Sequence, residues 1–234
     1  MPYLKYISDQ NLIIAVGKVI NVIKQTENKS DDALFRNVLD PFSAMFQGIS
    51  ESLSYSDWLK RERIRQNQKT MQNAIGDFHQ HILGSIPGWS NLGAGGGLDV
   101  INFNKRIIAE VKNKHNTTKG NHRTEIYDAI NLALDNTKHK EFVGYLVEII
   151  PKNSTRYNVP FAPSDNKIKS RRPTNDRIRL IDGVSFYALA SGRESALREL
   201  FEILPKVIEE NYELNLDVSK IKGYSSLFDK AFPT

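Results

Sequence analysis

The sequence has 234 residues, of which 40% are hydrophobic and 25% charged, values that are ordinary for a globular protein. It contains no cysteine, which excludes a disulfide framework and a thiolate zinc site, and no apolar run approaches the roughly 18 residues that a membrane span needs. The opening residues lack the order of a signal peptide, so we expect a cytoplasmic protein, and the net charge of +5 suggests a polyanionic partner.

The first third of the chain is predicted to be helical. Ser8 can cap a helix in which apolar residues recur at helical spacing, and Ser30 can cap a short second helix that ends before Pro41. A long third helix is expected from about Ser56 to Leu83. Three basic residues repeat every fourth position along it and are candidate contacts to a polyanion: Arg61, Arg65 and Lys69.

The pattern changes at Gly84, where glycines and prolines replace helical periodicity. Two β-like runs, Leu98–Phe103 and Arg106–Lys112, are separated by Asn104-Lys105 and predict a hairpin with a two-residue turn. The glycine run over residues 93–97 precedes a strand instead of following one into a helix. It also lacks the Gly-Lys-Ser/Thr ending of a phosphate-binding loop, so we reject a nucleotide-binding interpretation.

Helices and strands alternate through the rest of the chain, without an internal repeat or a low-complexity linker. The pattern predicts helices from about Arg123 to Leu134, over Ser185–Ala190 and over Arg193–Ile203, and strands over Phe142–Ile150 and Ile178–Ile181. Pro205 should kink or restart the last helix, and Asp182 can cap the helix that follows it. We therefore expect one α/β domain over residues 1–234, with a helical part over 1–70, a core over 71–192 and C-terminal helices over 193–234.

Residues 151–179 form a basic stretch in which eight lysines and arginines face only two aspartates. Arginine suits the bidentate contact to a guanine edge, and lysine suits phosphate, so this stretch is a candidate for recognition of nucleic acid. The alternative is an ordinary solvated face. The candidate residues are Lys167, Lys169, Arg171, Arg172, Arg177 and Arg179.

Three acid-x-Lys triplets occur in the chain, and only Glu110-Val111-Lys112 lies in a β-like run; the others begin at Glu27 and Asp165. If the turn contains two residues, cross-strand partners have numbers that sum to 209. Asp99 then lies opposite Glu110 with Cβ atoms about 5 Å apart. Lys112 lies on the same face, opposite Gly97, which has no side chain to block a substrate.

Two opposed carboxylates are unfavourable unless a cation neutralises them, and hard oxygen ligands suit Mg²⁺. Asp99, Glu110 and the backbone carbonyl of Val111 are predicted to hold Mg²⁺ against a phosphate, while Lys112 orients the attacking water. The alternative is that Lys112 forms only an ion pair with Glu110 and that Asp99 hydrogen-bonds within the glycine-rich loop. A register slip of one residue would favour that alternative, because it sends the two carboxylates to opposite faces.

The run Leu98-Asp99 followed by Glu110-Val111-Lys112 resembles the catalytic hairpin of the PD-(D/E)xK nuclease superfamily, which is typical of type II restriction endonucleases. Leu98 stands where the superfamily often has proline. Residues 72–80 and 181–192 resemble one restriction branch, whose members cut GGNCC. The superfamily resemblance covers about residues 70–192.

This resemblance implies a restriction-endonuclease-like α/β (α+β) core, a mixed central sheet flanked by helices, with a helical N-terminal part. It implies Mg²⁺-dependent hydrolysis of double-stranded DNA at a short palindromic site, by a homodimer in a bacterium that also makes a cognate DNA methyltransferase. Asp77 is the acid on the helix before the hairpin, and the resemblance implies that it binds a second metal ion or supports the metal ligands; the alternative is an ordinary solvated helix charge. Lys114 joins the DNA-binding candidates.

Two other functions remain open at this point. One is a DNA repair or junction-resolving nuclease on the same scaffold. The other is a non-catalytic nucleic-acid-binding protein, in which the basic stretches matter and the hairpin is incidental.

Overall fold

The computed structural model describes residues 1–27, 34–93, 95, 97–118, 120–213 and 223–233, and it follows the predicted order from helices to a mixed sheet. The chain divides into two units, Gly17–Ile75 and the combination of Met1–Val16 with Gly76–Thr234. Both unit boundaries fall inside helices, because the first and third helices each belong to both units.

The unit Gly17–Ile75 contains the later part of α1 (Asp9–Glu27), all of α2 (Pro41–Ser50) and the first part of α3 (Tyr55–Gly84). The predicted start of α1 after Ser8 and the predicted span of α3 are confirmed. The predicted cap Ser30 lies outside the described residues.

The sequence analysis did not predict α2, which begins at Pro41. The Asp40 carboxylate accepts hydrogen bonds from the backbone N–H groups of Phe42 and Ser43. Proline is tolerated at the first helical position because its missing N–H would have no partner there. Pro41 therefore begins a helix, whereas the sequence analysis had treated it only as the point before which a helix must end.

A six-stranded mixed sheet forms the centre of the larger unit, in the order β1-β2-β3-β4-β8-β5. Strands β3, β4 and β8 are parallel, and β1, β2 and β5 pair antiparallel with their neighbours. The strands of this sheet are β1 (Ser90–Asn91), β2 (Val100–Asn102), β3 (Ile107–Lys114), β4 (Val143–Ile150), β5 (Asn158–Pro160) and β8 (Ile178–Asp182).

Helix α4 (Gly120–Asp135) covers one face of the sheet, and α5 (Gly183–Ser191) covers the other. A Cβ atom on Gly144 would lie 2.2 Å from Ile130 of α4, so glycine is what lets that helix approach β4 closely. On the opposite face the ring of Phe186 from α5 packs 5.8 Å from that of Tyr145. These two layers hold the carboxyl ends of β3, β4 and β8 in a fixed arrangement.

The predicted elements β4, β8, α4 and α5 are confirmed, and Asp182 caps α5 by accepting a hydrogen bond from Ser185 N. Helix α6 (Ala196–Asn211) continues through Pro205 instead of restarting there, and α7 spans Tyr224–Ala231. The basic stretch over residues 151–179 contains β5 and also a separate hairpin, which consists of β6 (Ser164–Asp165) and β7 (Ser170–Arg171). Within the described residues, no helix has the length and apolar character needed to cross a membrane.

Candidate active site

The β2–β3 hairpin has the predicted register. Val100 pairs with Ala109, Ile101 with Ile108 and Asn102 with Ile107, so the partner numbers sum to 209. The expected two-residue turn is wrong, because residues 103–106 form a four-residue loop. Arg106 adopts the left-handed conformation with φ 56°, and the Asn102 side chain accepts a hydrogen bond from Lys105 N at 2.8 Å. The longer loop takes one residue from each strand. Each remaining residue therefore keeps its predicted partner and its predicted face of the hairpin.

Asp99 lies directly before β2, just beyond the last register pair of the hairpin, which joins Val100 and Ala109. Its backbone N–H donates to Ala109 O at 3.0 Å, and its Oδ2 accepts a hydrogen bond from Val111 N at 2.7 Å. Burial, and then the nearby charge of Glu110, raise the pKa of Asp99 to about 6, although Val111 N–H and Lys112 oppose this shift. The hairpin therefore brings the two carboxyl groups together as predicted.

Lys112 completes this group, since its Nζ lies 2.5 Å from Glu110 Oε1 and both side chains are largely buried. This is the ion pair that the alternative interpretation expected. The Asp99 side chain accepts a hydrogen bond from Val111 of β3, and among the described residues of the glycine-rich loop none bonds to this side chain. The three side chains therefore form one cluster at the end of the hairpin.

The expected pairing of Gly97 with Lys112 is wrong, because β2 begins only at Val100. Gly97 has φ 72°, and a Cβ atom there would meet no heavy atom within 4 Å. Glycine is therefore suited to this position by its backbone conformation, and the absence of a side chain is not needed to relieve crowding.

The donor atoms of this cluster fit a hard divalent cation. Asp99 and Glu110 supply carboxylate oxygens, and a cation would offset both the burial and the repulsion by Glu110 that raise the pKa of Asp99. Among the described residues no group of three acidic, histidine or cysteine side chains could hold a metal. Mg²⁺ is suited to such a site because it is commonly held by one or two carboxylates together with water and a substrate phosphate.

Asp77 is not brought into this cluster. It is exposed on α3, and within the described part of the chain it belongs to no group of three side chains that could share a metal. Lys114 ends β3 as a half-buried residue whose register partner is Ile150.

The structure adds two residues that the sequence analysis missed, Glu148 of β4 and Arg123 of α4. Glu148 is the register partner of Lys112, and its carboxylate accepts hydrogen bonds from Arg123 Nη1 at 2.6 Å and from the Tyr157 hydroxyl at 2.7 Å. The sequence carried a signal for Glu148, which is the single charged residue within the apolar run from Val143 to Ile150. Its partners come from other elements and carried no such signal.

The candidate recognition residues separate into two groups. Lys167 and Lys169 lie in the turn of the β6–β7 hairpin, and Arg171 lies in β7; all three side chains are exposed. The other three arginines are bound to the protein. Arg172 pairs with Asp128 and Asp165, Arg177 donates to Lys140 O, and Arg179 donates to both oxygens of Asn158.

The basic stripe on α3 is also divided. Arg61 pairs with Glu51, and Arg65 pairs with the buried Glu62 at 2.5 Å. Lys69 is exposed and, with Arg65, lines a polar cleft of about 800 Å³ in the unit Gly17–Ile75. Lys69 is therefore the member of the stripe that is most available to a phosphate.

Comparison with known proteins identifies the family of this chain. Residues 4–213 match the family described as Eco47II restriction endonuclease. Over 211 residues the chain is 42% identical to the type II restriction enzyme Eco47II of Escherichia coli, covering 89% of this chain and 88% of the relative. It is 30% identical to the type II restriction enzyme Sau96I of Staphylococcus aureus over 212 residues, which cover 89% and 80% of the two chains. The chain belongs to the Eco47II restriction endonuclease family and is a site-specific endonuclease of double-stranded DNA.

Proposed function

We propose that this enzyme is Mg²⁺-dependent, with Asp99, Glu110 and the backbone carbonyl of Val111 as metal ligands and Lys112 as the residue that orients the attacking water. The observation that carries the proposal is the cluster itself, in which Asp99 bonds to Val111 N, Lys112 pairs with Glu110, and burial and then Glu110 raise the pKa of Asp99. A pair of neighbouring carboxyl groups is costly without a cation, so its presence in a nuclease supports a metal-binding role.

When bound, Mg²⁺ would offset charge on the phosphate oxygens and lower the pKa of a bound water. The protein's part is to hold the ligands still. The hydrogen bond from Val111 N to Asp99 Oδ2 fixes that carboxylate against β3. The ion pair between Lys112 and Glu110 keeps the ammonium group at the carboxylate cluster, where its N–H groups can donate to the attacking water or to a phosphate oxygen.

We propose a short palindromic recognition site of the form GGNCC. Support comes from the resemblance of residues 72–80 and 181–192 to the branch that cuts this sequence. The exposed side chains of Lys167, Lys169 and Arg171 on the β6–β7 hairpin are suited to DNA, since a free guanidinium can bind a guanine edge. Arg172, Arg177 and Arg179, which are bound to the protein, are better suited to holding that hairpin and the neighbouring strands.

A homodimer is part of the proposal, because two equivalent sites related by a twofold axis match a palindromic duplex. Helix α2 supports it. No residue of this ten-residue helix is buried, although isolated helices of that length are marginal in water. Its exposed side chains include four large apolar ones, each more than 60% exposed: Phe42, Met45, Phe46 and Ile49.

The surface of α2 suits a second copy of this chain better than it suits DNA. The helix contains no charged residue, so it would neither attract phosphate nor repel its own copy across a twofold axis. It borders an apolar groove of about 470 Å³ that could receive an apolar side chain of the partner. Together, the exposed side chains of Phe42, Phe46 and Tyr55 present on the order of 400 Å² of aromatic surface. That is half of the roughly 800 Å² that each partner contributes to a standard interface.

Light scattering during size-exclusion chromatography tests the dimer. We expect the wild-type chain to elute with twice the chain mass and Phe46→Asp to elute as a folded monomer, because a buried unpaired charge opposes association. Leu132→Asp is the matched control, since Leu132 is equally exposed but lies on α4 in the other unit, and it should remain dimeric. A monomeric wild type, or a dimeric Phe46→Asp, would overturn this part of the proposal.

Digestion of plasmid DNA tests the activity as a whole. With MgCl₂ the enzyme should give discrete fragments whose ends share one palindromic sequence, and EDTA should abolish cleavage. Asp99→Ala should prevent cleavage while Asp77→Ala, on the exposed face of α3, should retain it. Structure-dependent nicking without a common end sequence would instead support a repair or junction-resolving nuclease.

We also propose that the enzyme acts in the bacterial cytoplasm together with a cognate DNA methyltransferase. A short site recurs often in any genome, so host DNA carrying it must be protected where the nuclease is active. No contact between the two proteins is implied. Cleavage of unmethylated host DNA, and resistance of native host DNA to the same preparation, is the expected result.

A further inference from the structure

A row of charged residues crosses the sheet at the carboxyl ends of its parallel strands. Lys112 of β3, Glu148 of β4 and Asp182 of β8 are register partners. Register partners in parallel strands point to the same face, and adjacent strands lie about 4.8 Å apart. Glu148 therefore lies beside Lys112 on the face covered by α4, one strand away from the proposed metal ligands.

The carboxylate of Glu148 is fixed through both of its oxygens. Its side chain is 6% exposed; Oε1 accepts from Arg123 and Oε2 accepts from the hydroxyl of Tyr157. The backbone N–H of Tyr157 is in turn held by Asp182, which is fully buried. A buried ion pair of this kind contributes little to stability compared with apolar side chains of the same volume. Its orientation, however, is tightly determined.

The guanidinium of Arg123 keeps donors available beyond this ion pair. One nitrogen, Nη1, donates to Glu148, and the guanidinium carbon lies 5.1 Å above the centre of the Phe161 ring. Within the described part of the chain, Nε and Nη2 of Arg123 have no hydrogen-bond acceptor, and 26% of the side chain is exposed. Guanidinium groups that are held in place in this way bind phosphate through two parallel hydrogen bonds.

We propose that Arg123 binds a DNA phosphate next to the scissile one, and that Glu148 and Tyr157 are positioning residues that orient its guanidinium. The inference rests on the proposed function, because it takes the Asp99, Glu110 and Lys112 cluster as the place of cleavage. The backbone of a duplex bound there carries a phosphate at every nucleotide, so a neighbouring phosphate is the anion that a cation beside Lys112 would meet.

The alternative role for this ion pair is to fasten α4 to β4. The sheet offers a matched control in Arg106, at the opposite end of β3, which pairs with Glu141 while both side chains remain more than half exposed. Arg106 and Glu141 lie just before β3 and β4, whereas the Arg123–Glu148 pair lies at the carboxyl ends of the strands.

DNA binding measured over a range of salt concentrations distinguishes the two roles. The test uses the full chain and a duplex that contains its site, with Ca²⁺ in place of Mg²⁺. Arg123→Gln should reduce the slope of log affinity against log salt by about 0.9, the value for one lost phosphate contact, and Arg123→Lys should retain most of it. Arg106→Gln should leave the slope unchanged. An unchanged slope for Arg123→Gln, with or without a lower melting temperature, would overturn the proposal.

The positioning role has a separate readout. Tyr157→Phe and Glu148→Gln retain the side-chain volumes and the charge of Arg123, so the salt slope should stay near the wild-type value. Cleavage at saturating DNA should fall on the order of tenfold, because a misplaced phosphate is not held in line for attack. Cleavage that is unchanged in both variants would remove the positioning role.

Failure of this inference can be distinguished from failure of the proposed function. If Asp99→Ala abolishes cleavage while Arg123→Gln keeps the wild-type salt slope, the metal cluster stands and the phosphate contact is wrong. If Asp99→Ala cleaves normally while Arg123→Gln lowers the slope, the phosphate contact stands and the assignment of the catalytic cluster is wrong.

Discussion

Two hairpins in this enzyme carry the same acid-x-Lys triplet and use it differently. In the β2–β3 hairpin the triplet is Glu110-Val111-Lys112, and in the β6–β7 hairpin it is Asp165-Asn166-Lys167. Glu110 lies close to a second carboxylate, Asp99, whose pKa is raised by burial and by Glu110. Asp165 lies opposite Ser170.

Asp165 is fully engaged by its own surroundings. Its side chain is 6% exposed; one oxygen accepts from the backbone N–H of Lys167 at 2.8 Å, and the other lies 3.4 Å from Arg172. Lys167 itself is exposed. The acid-x-Lys triplet alone therefore does not form a metal site. A second carboxylate close to the first, without an arginine to neutralise it, is what distinguishes the β2–β3 hairpin.

The largest expected effect separates the two triplets by activity. Glu110→Gln removes a proposed metal ligand, so the cleavage rate should fall on the order of 10³-fold, which corresponds to several kcal/mol of transition-state stabilisation. Asp165→Asn is the matched control and should cleave within a few-fold of the wild type. Initial rates on a plasmid substrate with saturating Mg²⁺ provide the measurement. Equal losses of cleavage rate in the two variants would contradict the assignment of the metal site to the β2–β3 hairpin.

The second effect concerns stability and tests the structural role of Asp165. Arg172→Met leaves the buried Asp165 without its cationic partner and also removes the ion pair with Asp128. We expect the free energy of unfolding to fall by about 2 kcal/mol, because an unpaired buried charge is costly. Arg171→Met, at the exposed neighbouring position, should change it by less than about 0.5 kcal/mol. Urea titrations of both variants give these values, and similar losses would contradict the assignment.

The third effect is a pH dependence that belongs to Asp99 in the metal-free enzyme. Its pKa of about 6 lies above the ordinary value of 3.8, so the folded state holds a proton that the unfolded state releases. Stability should therefore fall as the pH rises from about 4 to about 6. Asp99→Asn removes this loss and should be more stable than the wild type at pH 7.5, by on the order of 2 kcal/mol, but not at pH 4. Urea unfolding in EDTA at both pH values measures the difference. A wild type that is more stable than the variant at pH 7.5 would contradict it.

The smallest effect tests the exposed side of the β6–β7 hairpin. Lys167→Gln and Lys169→Gln each remove an exposed cation without disturbing Asp165, whose partners are the Lys167 backbone and Arg172. If both lysines contact phosphate, each variant should lower the slope of log affinity against log salt by about 0.9 and weaken binding a few-fold. Fluorescence anisotropy with a labelled duplex checks this. Unchanged slopes would mean that the hairpin faces away from DNA.

Local patterns in the sequence determined much of the β2–β3 hairpin. Alternating β-like residues on both sides of Asn104-Lys105 located the two strands, and the period of two residues per face then placed Asp99 opposite Glu110. The error in the loop length did not alter that result, because the four-residue loop takes one residue from each strand. A loop longer by one residue would have reversed the faces, so an even change is what preserved the register.

Contacts between distant parts of the chain were beyond sequence reasoning. The eight basic residues of the 151–179 stretch look equivalent in sequence, yet acceptors in other elements bind Arg172, Arg177 and Arg179 and leave Lys167, Lys169 and Arg171 exposed. The family resemblance implied a metal-binding role for Asp77, but the residue is exposed on α3.

The sequence by itself therefore determined the proposed metal-binding cluster, since hairpin register depends on residues close together in the chain. Only the tertiary structure decided which cations are available and which residue stands beside Lys112. Glu148 and Arg123 lie 36 and 11 residues beyond Lys112 in the sequence, and they meet there because β4 pairs in parallel with β3 while α4 packs over both. Pairing of parallel strands and packing of a crossover helix are long-range events, so no local spacing of residues can specify them.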